Sequence, residues 1–407
     1  MERRLSLLPV EEARERLLFD VSPVVQTERV DLRRLAGRRL ASDLSALLTQ
    51  PSFDASAMDG YAVLASDLSA GETRLRLIGE SAAGAAFEGI LRAGEAVRIF
   101  TGAPAPQGAD AVVIQENTER PDSETVLVRE PVTPGRHIRP AGNDFREGAP
   151  LLRAGTIFRP ASIALAASGG HAEVEVCRRP RVAILMTGSE LVLPGTRPGP
   201  AQIVASNGFG IAAMVEASGG EALSYGIVAD DRSALAAVLD RARRDEVDAF
   251  VTIGGASVGD HDLVAPVFRE CGVELDFWKV AMRPGKPLMA GRFGEMRFLG
   301  LPGNPASSLV TAELFLRPLV ERLAGRPAHG GYERGVLGAP ASANDHRAEF
   351  MRGRISGETD GKPRIVPFDR QDSSLLSVFA LAEVLLVRQP YAPPGETGDP
   401  CEFVRLA

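Results

Sequence analysis

The sequence has few of the residues that build disulfide frameworks, zinc sites, membrane spans or nucleic-acid surfaces. Its three cysteines are far apart and form no CxxC pair, which argues against a disulfide framework and a thiolate zinc site. The longest apolar runs are far shorter than the roughly 20 residues that a membrane-spanning helix needs. The net charge is -7, so no overall positive field would draw the chain to nucleic acid or to an anionic membrane. We therefore expect neither nucleic acid nor a membrane as a partner.

The N-terminus also lacks the features of a secretory signal. A basic start is followed by only a few apolar residues before charged residues resume, whereas a signal peptide carries a longer apolar region. Hydrophobic residues make up 44% of the chain and charged residues 24%, which are globular proportions. We expect a cytoplasmic protein. Its 407 residues predict roughly two to four domains.

The spacing of apolar residues predicts a multi-domain α/β plus β protein. From RVAILM at 181 onwards, buried-type strands alternate with amphipathic helices, which is typical of a mostly parallel sheet with helices on both faces, in three layers. Shorter β-type runs with Gly and Pro between them occur before and after this region. The predicted domains are a discontinuous N-terminal mixed domain (1–50 and 140–178), an inserted small β domain (51–139), the α/β domain (179–327) and a C-terminal β-barrel-like domain (328–407).

Three glycine-containing turns follow strand-like runs between Thr252 and Ser308. Their sequences are TIGGASVGDHD, MRPGKP and GLPGNPASS. In open α/β sheets, ligands bind outside the carboxyl ends of parallel strands, so we expect these turns to line one site. Neither the G-x-G-x-x-G motif of dinucleotide sites nor the P-loop motif occurs. Any anion site must therefore be built differently.

Acidic residues recur at the ends of successive predicted strands. They are Glu190, Asp230, Asp231, Asp260 and Asp262. Carboxylates gathered at one sheet edge would form an oxygen-rich pocket suited to Mg²⁺. Each of them, taken alone, is more simply explained as a helix N-cap or a loop carboxylate, but that explanation accounts poorly for their recurrence at successive strand ends.

Basic residues and a helix start lie in the same stretch. Lys279, Arg283 and Lys286 fall within eight residues and could clamp phosphate, although a solvated basic edge would give the same spacing. Asn304 and Pro305 suit the N-cap and the first position of a helix, which leaves free N–H groups that can hold an anion. Ordinary capping would use the same residues. Together these features favour a phosphorylated, metal-dependent substrate over a neutral one.

The ordered motifs, over nearly the whole chain, resemble the molybdopterin molybdenumtransferase family, which includes MoeA and the E domain of gephyrin. Single pieces are weak signals, whereas the ordered set is highly specific. The matching pieces are SAMDGYAV, RIFTGAP, GNDFREG, TGSEL, GGASVGDHD, WKVAMRPGKP, GLPGNPAS, RAEFMRG and QDSSLLS.

This resemblance implies a homodimer of multi-domain subunits in which the α/β domain binds adenylylated molybdopterin. It further implies that molybdate is inserted into the dithiolene with Mg²⁺ and release of AMP, which gives the molybdenum cofactor. The implied partners are a molybdopterin adenylyltransferase and proteins that deliver the cofactor to molybdoenzymes.

Motif matching also implies the site residues. The implied catalytic residues are Asp59, Thr101, Asp144, Glu190, Asp230 and Asp262, of which Glu190, Asp230 and Asp262 would also bind the metal. The implied residues that hold the molybdopterin, its phosphate or molybdate are Gly254, Gly255, Ser257, Lys279, Arg283, Lys286, Pro302, Asn304, Pro305, Ser307, Arg347 and Arg352. In a homodimer, Asp59 and Thr101 would act on the α/β domain of the partner subunit.

The sequence departs from the family pattern at five positions. They are Ala55, Ser189, Ala205, Asp372 and Glu383. Ser189 and Ala205 thin the acidic cluster, while Asp372 and Glu383 fall in the predicted C-terminal domain. Ser189, Ala205 and Asp372 keep open the alternative of a non-catalytic molybdopterin carrier or scaffold. A paralogue that inserts tungstate is a further alternative.

Overall fold

The computed structural model describes residues 7–68, 71–255, 263–328 and 331–406, which form two compact units. One unit contains residues 7–28 and 177–406, and the other contains residues 29–176. The predictions for Ser257, Asp260 and Asp262 fall outside the described residues. In the part of the chain that the structure describes, no helix is long and apolar enough to cross a membrane.

Helix α1 (Val10–Leu18) begins just after Pro9, which occupies the N-cap instead of the first helical position. Its buried residues Val10, Ala13 and Leu17 lie on one face, as the spacing predicts. They join the hydrophobic core of the α/β region. This packing differs from the predicted grouping of the helix with the rest of the N-terminal domain.

From residue 27 to residue 177 the chain forms short strands and helix α2. The elements are β1 (Thr27–Asp31), β2 (Leu44–Ser45), β3 (Ala55–Ser56), β4 (Gly60–Val63), β5 (Thr73–Ser81), β6 (Glu95–Ile99), β7 (Ala111–Ile114), β8 (Thr118–Glu119), β9 (Thr125–Val128), β10 (Ile138–Arg139), β11 (Pro150–Leu152), α2 (Pro160–Ser168) and β12 (Glu173–Cys177). Strands β4 to β9 form a six-stranded sheet in the order β7-β4-β6-β5-β9-β8. A separate core joins residues 30–44 to residues 158–176. A core shared by these two segments is what the predicted insertion of residues 51–139 between them requires. The domain boundaries themselves stay a prediction.

The central region alternates strands and helices, as predicted. Its elements are β13 (Arg181–Thr187), β14 (Leu191–Val192), β15 (Ile203–Val204), α3 (Asn207–Ala217), β16 (Glu221–Val228), α4 (Arg232–Arg244), β17 (Ala249–Ile253), α5 (Val264–Glu270), β18 (Glu274–Trp278), β19 (Met282–Arg283), β20 (Met289–Phe293), β21 (Met296–Leu301), α6 (Pro305–Thr311) and α7 (Arg317–Leu323). The sheet order is β16-β13-β17-β21-β20-β18, in which the first four strands are parallel to one another. Strands β20 and β18 each pair antiparallel to their neighbour.

Strand β13 shows why this sheet is covered on both faces. Its residues Ile184 and Met186 pack into one core, whereas Leu185 packs into the core of the opposite face. Alternate side chains of a strand point to opposite faces, so a continuous apolar run requires a helical layer on each side. The predicted mostly parallel, three-layer α/β domain is confirmed.

Helices α6 and α7 form one continuous helix through a π-helical segment, Ala312–Leu316. Pro318 lies inside this helix, near the start of α7. In a regular α-helix, a proline ring collides with the carbonyl four residues earlier, which here belongs to Leu314. The wider π turn contains Leu314 and gives that carbonyl room. The predicted start of this long helix at Pro305 is confirmed.

The C-terminal region forms a closed β-barrel. Its elements are β22 (Glu333–Leu337), β23 (Ala348–Thr359), β24 (Lys362–Pro367), α8 (Leu376–Ala380), β25 (Val384–Arg388) and β26 (Pro400–Arg405). The strands pair in the order β23-β24-β22-β26-β25, and β25 pairs again with β23 to close five strands into a barrel. Strand β19 adds to β23 in parallel and so attaches the MRPGKP turn to the barrel. The predicted C-terminal β-barrel-like domain is confirmed.

Candidate functional site

A cavity of about 740 Å³ lies at the carboxyl ends of β13, β17 and β21. Thr187, Gly254 and Pro302 stand at or just after the ends of these three strands and line it. The starts of α3 and α6 complete the wall. The predicted site residues that line this cavity are Glu190, Asp230, Gly254, Gly255, Pro302, Asn304, Pro305 and Ser307. The structure therefore places turns from several strands around one space, where open α/β sheets bind ligands.

The two glycines after β17 let the chain turn tightly beside β13. Gly254 has φ +92° and Gly255 has φ +61°. A Cβ atom on Gly254 would lie 2.6 Å from the carbonyl oxygen of Thr187. Both the backbone conformation and the contact exclude a side chain there, so glycine is required for the two strand ends to approach.

Two carboxylates line the same cavity and are close enough for their charges to interact. Glu190 lies in the loop after β13, where its carbonyl accepts a hydrogen bond from the amide of Ile203 at 2.9 Å. Asp230 follows β16. Asp230 is exposed, but partial desolvation of its carboxyl at the cavity wall raises its pKa, and the negative charge of Glu190 raises this pKa further. A cation bound between the two carboxylates would relieve this repulsion.

This carboxylate pair fits Mg²⁺, which binds proteins through one or two carboxylates while keeping several waters. Among the residues that the structure describes, no group of three His, Cys, Asp or Glu side chains could hold a metal ion. The third predicted ligand, Asp262, is outside those residues. Metal binding by the full set of three therefore stays a prediction.

The amino-terminal end of α6 contacts the C-terminal barrel. Asn304 is the N-cap, and its side-chain amide donates to Ser373 Oγ at 3.2 Å instead of capping its own helix. The amide of Ala306 donates to the carbonyl oxygen of Ser373 at 2.9 Å. The expectation of free N–H groups at this helix start is therefore wrong for Ala306, because its N–H group already donates to the Ser373 carbonyl of the barrel.

The predicted phosphate-binding arginines are paired with barrel carboxylates. An Arg283 nitrogen lies 2.7 Å from Glu349 and another lies 3.7 Å from Asp345. Asp345 also pairs with Arg347 at 2.9 Å, and hydrogen bonds from Arg347 lower the pKa of Asp345 to about 2. The positive charges of Arg283 and Arg347 are thus largely balanced by the protein itself.

The two predicted lysines differ in their surroundings. Lys279 is half-buried with φ +82°, a conformation that is unusual for a residue with a side chain. Its amide donates to the carbonyl of Leu288 at 2.8 Å, and its carbonyl accepts from the amide of Leu8 at 3.3 Å. Lys286 is exposed. Of the described residues from Lys279 to Pro287, only Pro287 lines the cavity, and neither lysine does.

Arg352 is fully buried, with an exposure of 0%. It therefore cannot contact a ligand in this arrangement, contrary to its predicted role as a cofactor-binding residue. Its guanidinium donates from Nε to Gln371 Oε1 at 3.1 Å and from Nη1 to the carbonyl of Asp372 at 3.1 Å. Strand alternation explains the burial, because Arg352 shares the inward face of β23 with Ala348 and Phe350.

In the second unit, Asp59 and Thr101 lie together. Asp59 Oδ1 accepts hydrogen bonds from the amide and the hydroxyl of Thr101, each at 2.7 Å. These bonds lower the pKa of Asp59, the amide bond contributing most. Asp144 is exposed in the turn before β11, and its amide donates to the carbonyl of Gln50 at 3.0 Å.

The positions that depart from the family pattern have ordinary structural roles. Ala205 is buried in the cavity wall, and Ser189 is exposed beside Glu190. Glu383 accepts a hydrogen bond from the amide of Ile355 at 2.9 Å within the barrel. Asp372 accepts from the amide and the hydroxyl of Ser374 at 2.8 Å and 2.5 Å. The fifth position, Ala55, is buried in β3. Of the five, Ala205 lines the cavity itself, and Asp372 hydrogen-bonds Ser374, which also lines it.

Ser374 and Asn207 are among the cavity residues that were not singled out from the sequence as site residues. Ser374 belongs to the QDSSLLS motif. The match of this motif to the family pattern could have identified Ser374 as a site residue. Asn207 begins α3 and donates from Nδ2 to the carbonyl of Gly303 at 2.7 Å, which ties α3 to the turn before α6. Its place at the start of the first helix after the RVAILM strand was the sequence signal that could have identified it.

Comparison with known proteins agrees with this architecture. A family model described as the MoeA N-terminal region (domain I and II) matches residues 8–170. A model of a probable molybdopterin binding domain matches residues 183–322, and one of the MoeA C-terminal region (domain IV) matches residues 334–406. These three matches follow one another along almost the entire chain.

Individual relatives give the same result. A Haemophilus influenzae protein named molybdopterin molybdenumtransferase is 35% identical over 390 residues, covering 94% of both chains. A Bacillus subtilis protein of the same name is 33% identical over 395 residues, covering 95% of this chain and 91% of its own. The crystal structure of a molybdopterin biosynthesis MoeA protein from Pyrococcus horikoshii has 30% identity and a TM-score of 0.81, covering 98% of this chain and 99% of that one.

The fold and the cavity define a multi-domain protein with an α/β ligand-binding domain of the molybdopterin-binding type and an appended closed barrel. The matches over its full length specify the family further. The chain belongs to the MoeA family, whose curated members are named molybdopterin molybdenumtransferases.

Proposed function

We propose that this protein inserts molybdate into adenylylated molybdopterin with Mg²⁺ and release of AMP, which yields the molybdenum cofactor. The observation that carries the proposal is the cavity at the sheet edge, in which the Glu190 and Asp230 carboxylates share a space with the glycine turn after β17 and the start of α6. The named activity of full-length relatives supports the same reaction.

Three parts of the cavity wall would have separate roles in this reaction. Glu190 and Asp230 would hold Mg²⁺, which supplies a positive charge that offsets the phosphate oxygens of the substrate. The glycines after β17 let backbone approach the ligand closely. Ser307 and Asn304 offer polar groups from the α6 end of the same wall.

The direct test is incubation of the protein with adenylylated molybdopterin, molybdate and Mg²⁺, with AMP and active cofactor as the products measured. We expect Glu190→Gln to lower kcat/KM at least about tenfold, since a ligand of the metal is lost. Glu358→Gln is the matched control, because Glu358 is an exposed carboxylate of the barrel. Absence of AMP release from the unmodified protein would overturn the proposal.

The same assay separates the two alternatives. A non-catalytic carrier or scaffold would bind molybdopterin tightly and show no AMP release above background. A tungstate-inserting paralogue would show a higher kcat/KM with tungstate than with molybdate in parallel reactions. We expect AMP release with molybdate to exceed background, and kcat/KM with molybdate to exceed kcat/KM with tungstate.

We further propose a cytoplasmic homodimer in which Asp59 and Thr101 serve the α/β domain of the partner subunit. It would receive its substrate from a molybdopterin adenylyltransferase and pass its product to cofactor-delivery proteins. Sedimentation velocity run beside the activity assay over a dilution series tests the dimer, because specific activity should fall as dimer dissociates. A fully active monomer would contradict it.

A further inference from the structure

A loop of the C-terminal barrel forms part of the cavity wall. This serine loop, residues 371–375, brings Ser374 to the cavity lining. Ser373 is joined to the start of α6 by the bond from the Ala306 amide at 2.9 Å and the bond from Asn304 Nδ2 at 3.2 Å. The position of the serine loop therefore sets the shape of the wall where α6 begins.

Gln371 fixes the base of the serine loop through its side-chain amide. Its Oε1 accepts from the Arg352 backbone amide at 3.0 Å and from Arg352 Nε at 3.1 Å. Its Nε2 donates to the carbonyls of Arg352 at 2.9 Å and Phe368 at 2.7 Å. A glutamine amide has two donor hydrogens and two acceptor sites, so all its capacity is used.

Arg352 completes the connection between β23 and the serine loop, and burial of its guanidinium carries a considerable desolvation cost. Burial lowers the pKa of its guanidinium, and its Nη2 has no hydrogen-bond partner among the described residues. Nη1 donates to the carbonyl of Asp372, the next residue of the serine loop. Apolar replacement of buried charged groups is often neutral or stabilising, so the position of the loop explains the bonds of Arg352 better than stability does. Its bonds instead fix where the loop lies.

The serine loop in turn orients Ser374. Asp372 Oδ1 accepts from both the amide and the hydroxyl of Ser374, and these bonds keep the pKa of Asp372 below its ordinary value. An ionised carboxylate can only accept hydrogen bonds, so the Ser374 hydroxyl must be the donor in its bond to Asp372. The oxygen of Ser374 is then available to accept a hydrogen bond from a ligand N–H or O–H group.

We propose that Gln371 and Arg352 are positioning residues that act through the serine loop, holding Ser374 as a hydrogen-bond acceptor for the substrate at the cavity wall. This inference rests on the proposed function for the identity of the substrate. The placement of the loop itself does not depend on that function.

The test uses Gln371→Met, which keeps the side-chain length and removes all four hydrogen bonds. The first measurement is hydrogen exchange of the full-length protein without ligand. We expect the Ala306 amide to exchange about tenfold faster in the variant, since its acceptor on Ser373 is no longer held. Gln389→Ala is the control, because Gln389 is an exposed glutamine of the same barrel that bonds Glu402. Unchanged exchange at Ala306 would overturn the loop-holding role.

The second measurement is a double-mutant cycle with Ser374→Ala in the AMP-release assay. We expect each single variant to raise KM for adenylylated molybdopterin about tenfold with a smaller change in kcat, and the double variant to be no worse than Gln371→Met alone. Effects that multiply would show that Gln371 and Ser374 act independently and would refute the inference. If Gln371→Met does not fold, Arg352→Lys, which loses the bond from Nη1 to the Asp372 carbonyl of the serine loop, replaces it in both measurements.

The two arms also separate this inference from the proposed function. If the unmodified protein releases no AMP, the proposed function fails, and the hydrogen-exchange arm still decides whether Gln371 holds the loop. If AMP is released and the cycle is additive, the proposed function stands and the positioning role fails.

Discussion

Asp59 Oδ1 accepts two hydrogen bonds from Thr101, one from its backbone amide and one from its hydroxyl, both at 2.7 Å. These bonds favour the ionised carboxylate and lower its pKa, and the charge of Arg98 adds to the effect. The threonine side chain therefore helps to keep a negative charge at this position in the second unit.

Replacement of Thr101 by valine tests this relationship. Thr101→Val removes the hydroxyl bond and keeps the amide bond, so the pKa of Asp59 should rise towards its ordinary value. The acid limb of the kcat/KM profile should then move to higher pH, while Asp59 stays ionised at pH 7 in both proteins. Thr101→Ser, which restores a hydroxyl, should return the profile to that of the unmodified protein. An unshifted acid limb in the valine variant would contradict the prediction.

Asp230 should make the ligand-free protein less stable at neutral pH. Its pKa is raised in the folded state by burial and by Glu190, so above the ordinary pKa of an aspartate the unfolded chain loses its proton first. This destabilisation is absent at low pH, grows as pH rises, and is complete above the folded pKa. We expect Asp230→Asn to raise the melting temperature at pH 7 and to leave it unchanged below about pH 3.

Mg²⁺ should remove the same penalty. Adding Mg²⁺ at pH 7 should raise the melting temperature of the unmodified protein, because a ligand of the folded state alone stabilises it. The increase should be smaller in Asp230→Asn and unchanged in Glu358→Gln. Equal stabilisation of all three proteins would mean that the cation binds elsewhere.

Gly254 should tolerate no side chain. Gly254→Ala places a Cβ atom 2.6 Å from the Thr187 carbonyl oxygen at φ +92°, and backbone atoms cannot move aside cheaply. We expect a loss of about 2–3 kcal/mol in the free energy of unfolding, measured by urea denaturation. Gly294→Ala is the matched control, with φ +59° and open space around its Cβ, and should lose about 1 kcal/mol. Similar losses would show that the contact with Thr187 is unimportant.

Arg283 should contribute to the attachment of the MRPGKP turn to the barrel. It lies opposite Glu349 in the β19–β23 pairing and forms the 2.7 Å ion pair with it. Arg283→Gln leaves the largely buried Glu349 carboxylate without its cation, so we expect a loss of about 1 kcal/mol in the free energy of unfolding. Arg292→Gln breaks a more exposed pair with Glu274 and should lose less than about 0.5 kcal/mol. The opposite ranking in urea denaturation would contradict this role.

The α/β domain was predictable because its signals are local. The run RVAILM predicts a buried strand, Asp231 precedes α4 as an N-cap and bonds the Ala234 amide, and Pro305 marks the first residue of a helix. Each of these features depends on neighbouring residues. The recurrence of acidic residues at strand ends correctly brought Glu190 and Asp230 to one cavity.

The features that escaped prediction depend on distant residues. The barrel itself was predicted, but its strand order was not, because no local pattern specifies that β25 pairs with both β23 and β26. Arg283 was expected to face a ligand, but its ion-pair partners lie more than sixty residues further along the chain. Arg352 was assigned to the ligand by motif matching alone. The alternation Ala348, Phe350, Arg352 indicates an inward side chain, which the motif match did not take into account.

The π-helical segment Ala312–Leu316 couples the length of the long helix to one proline. A π turn holds about one residue more than an α turn, so deleting one residue there would restore regular winding and keep the flanking faces aligned. The restored α turn would press the ring of Pro318 against a carbonyl again. We expect such a deletion to fold only together with Pro318→Ala, which circular dichroism and thermal unfolding of the single and combined variants can check. This helix could therefore be shortened only by two changes made at once.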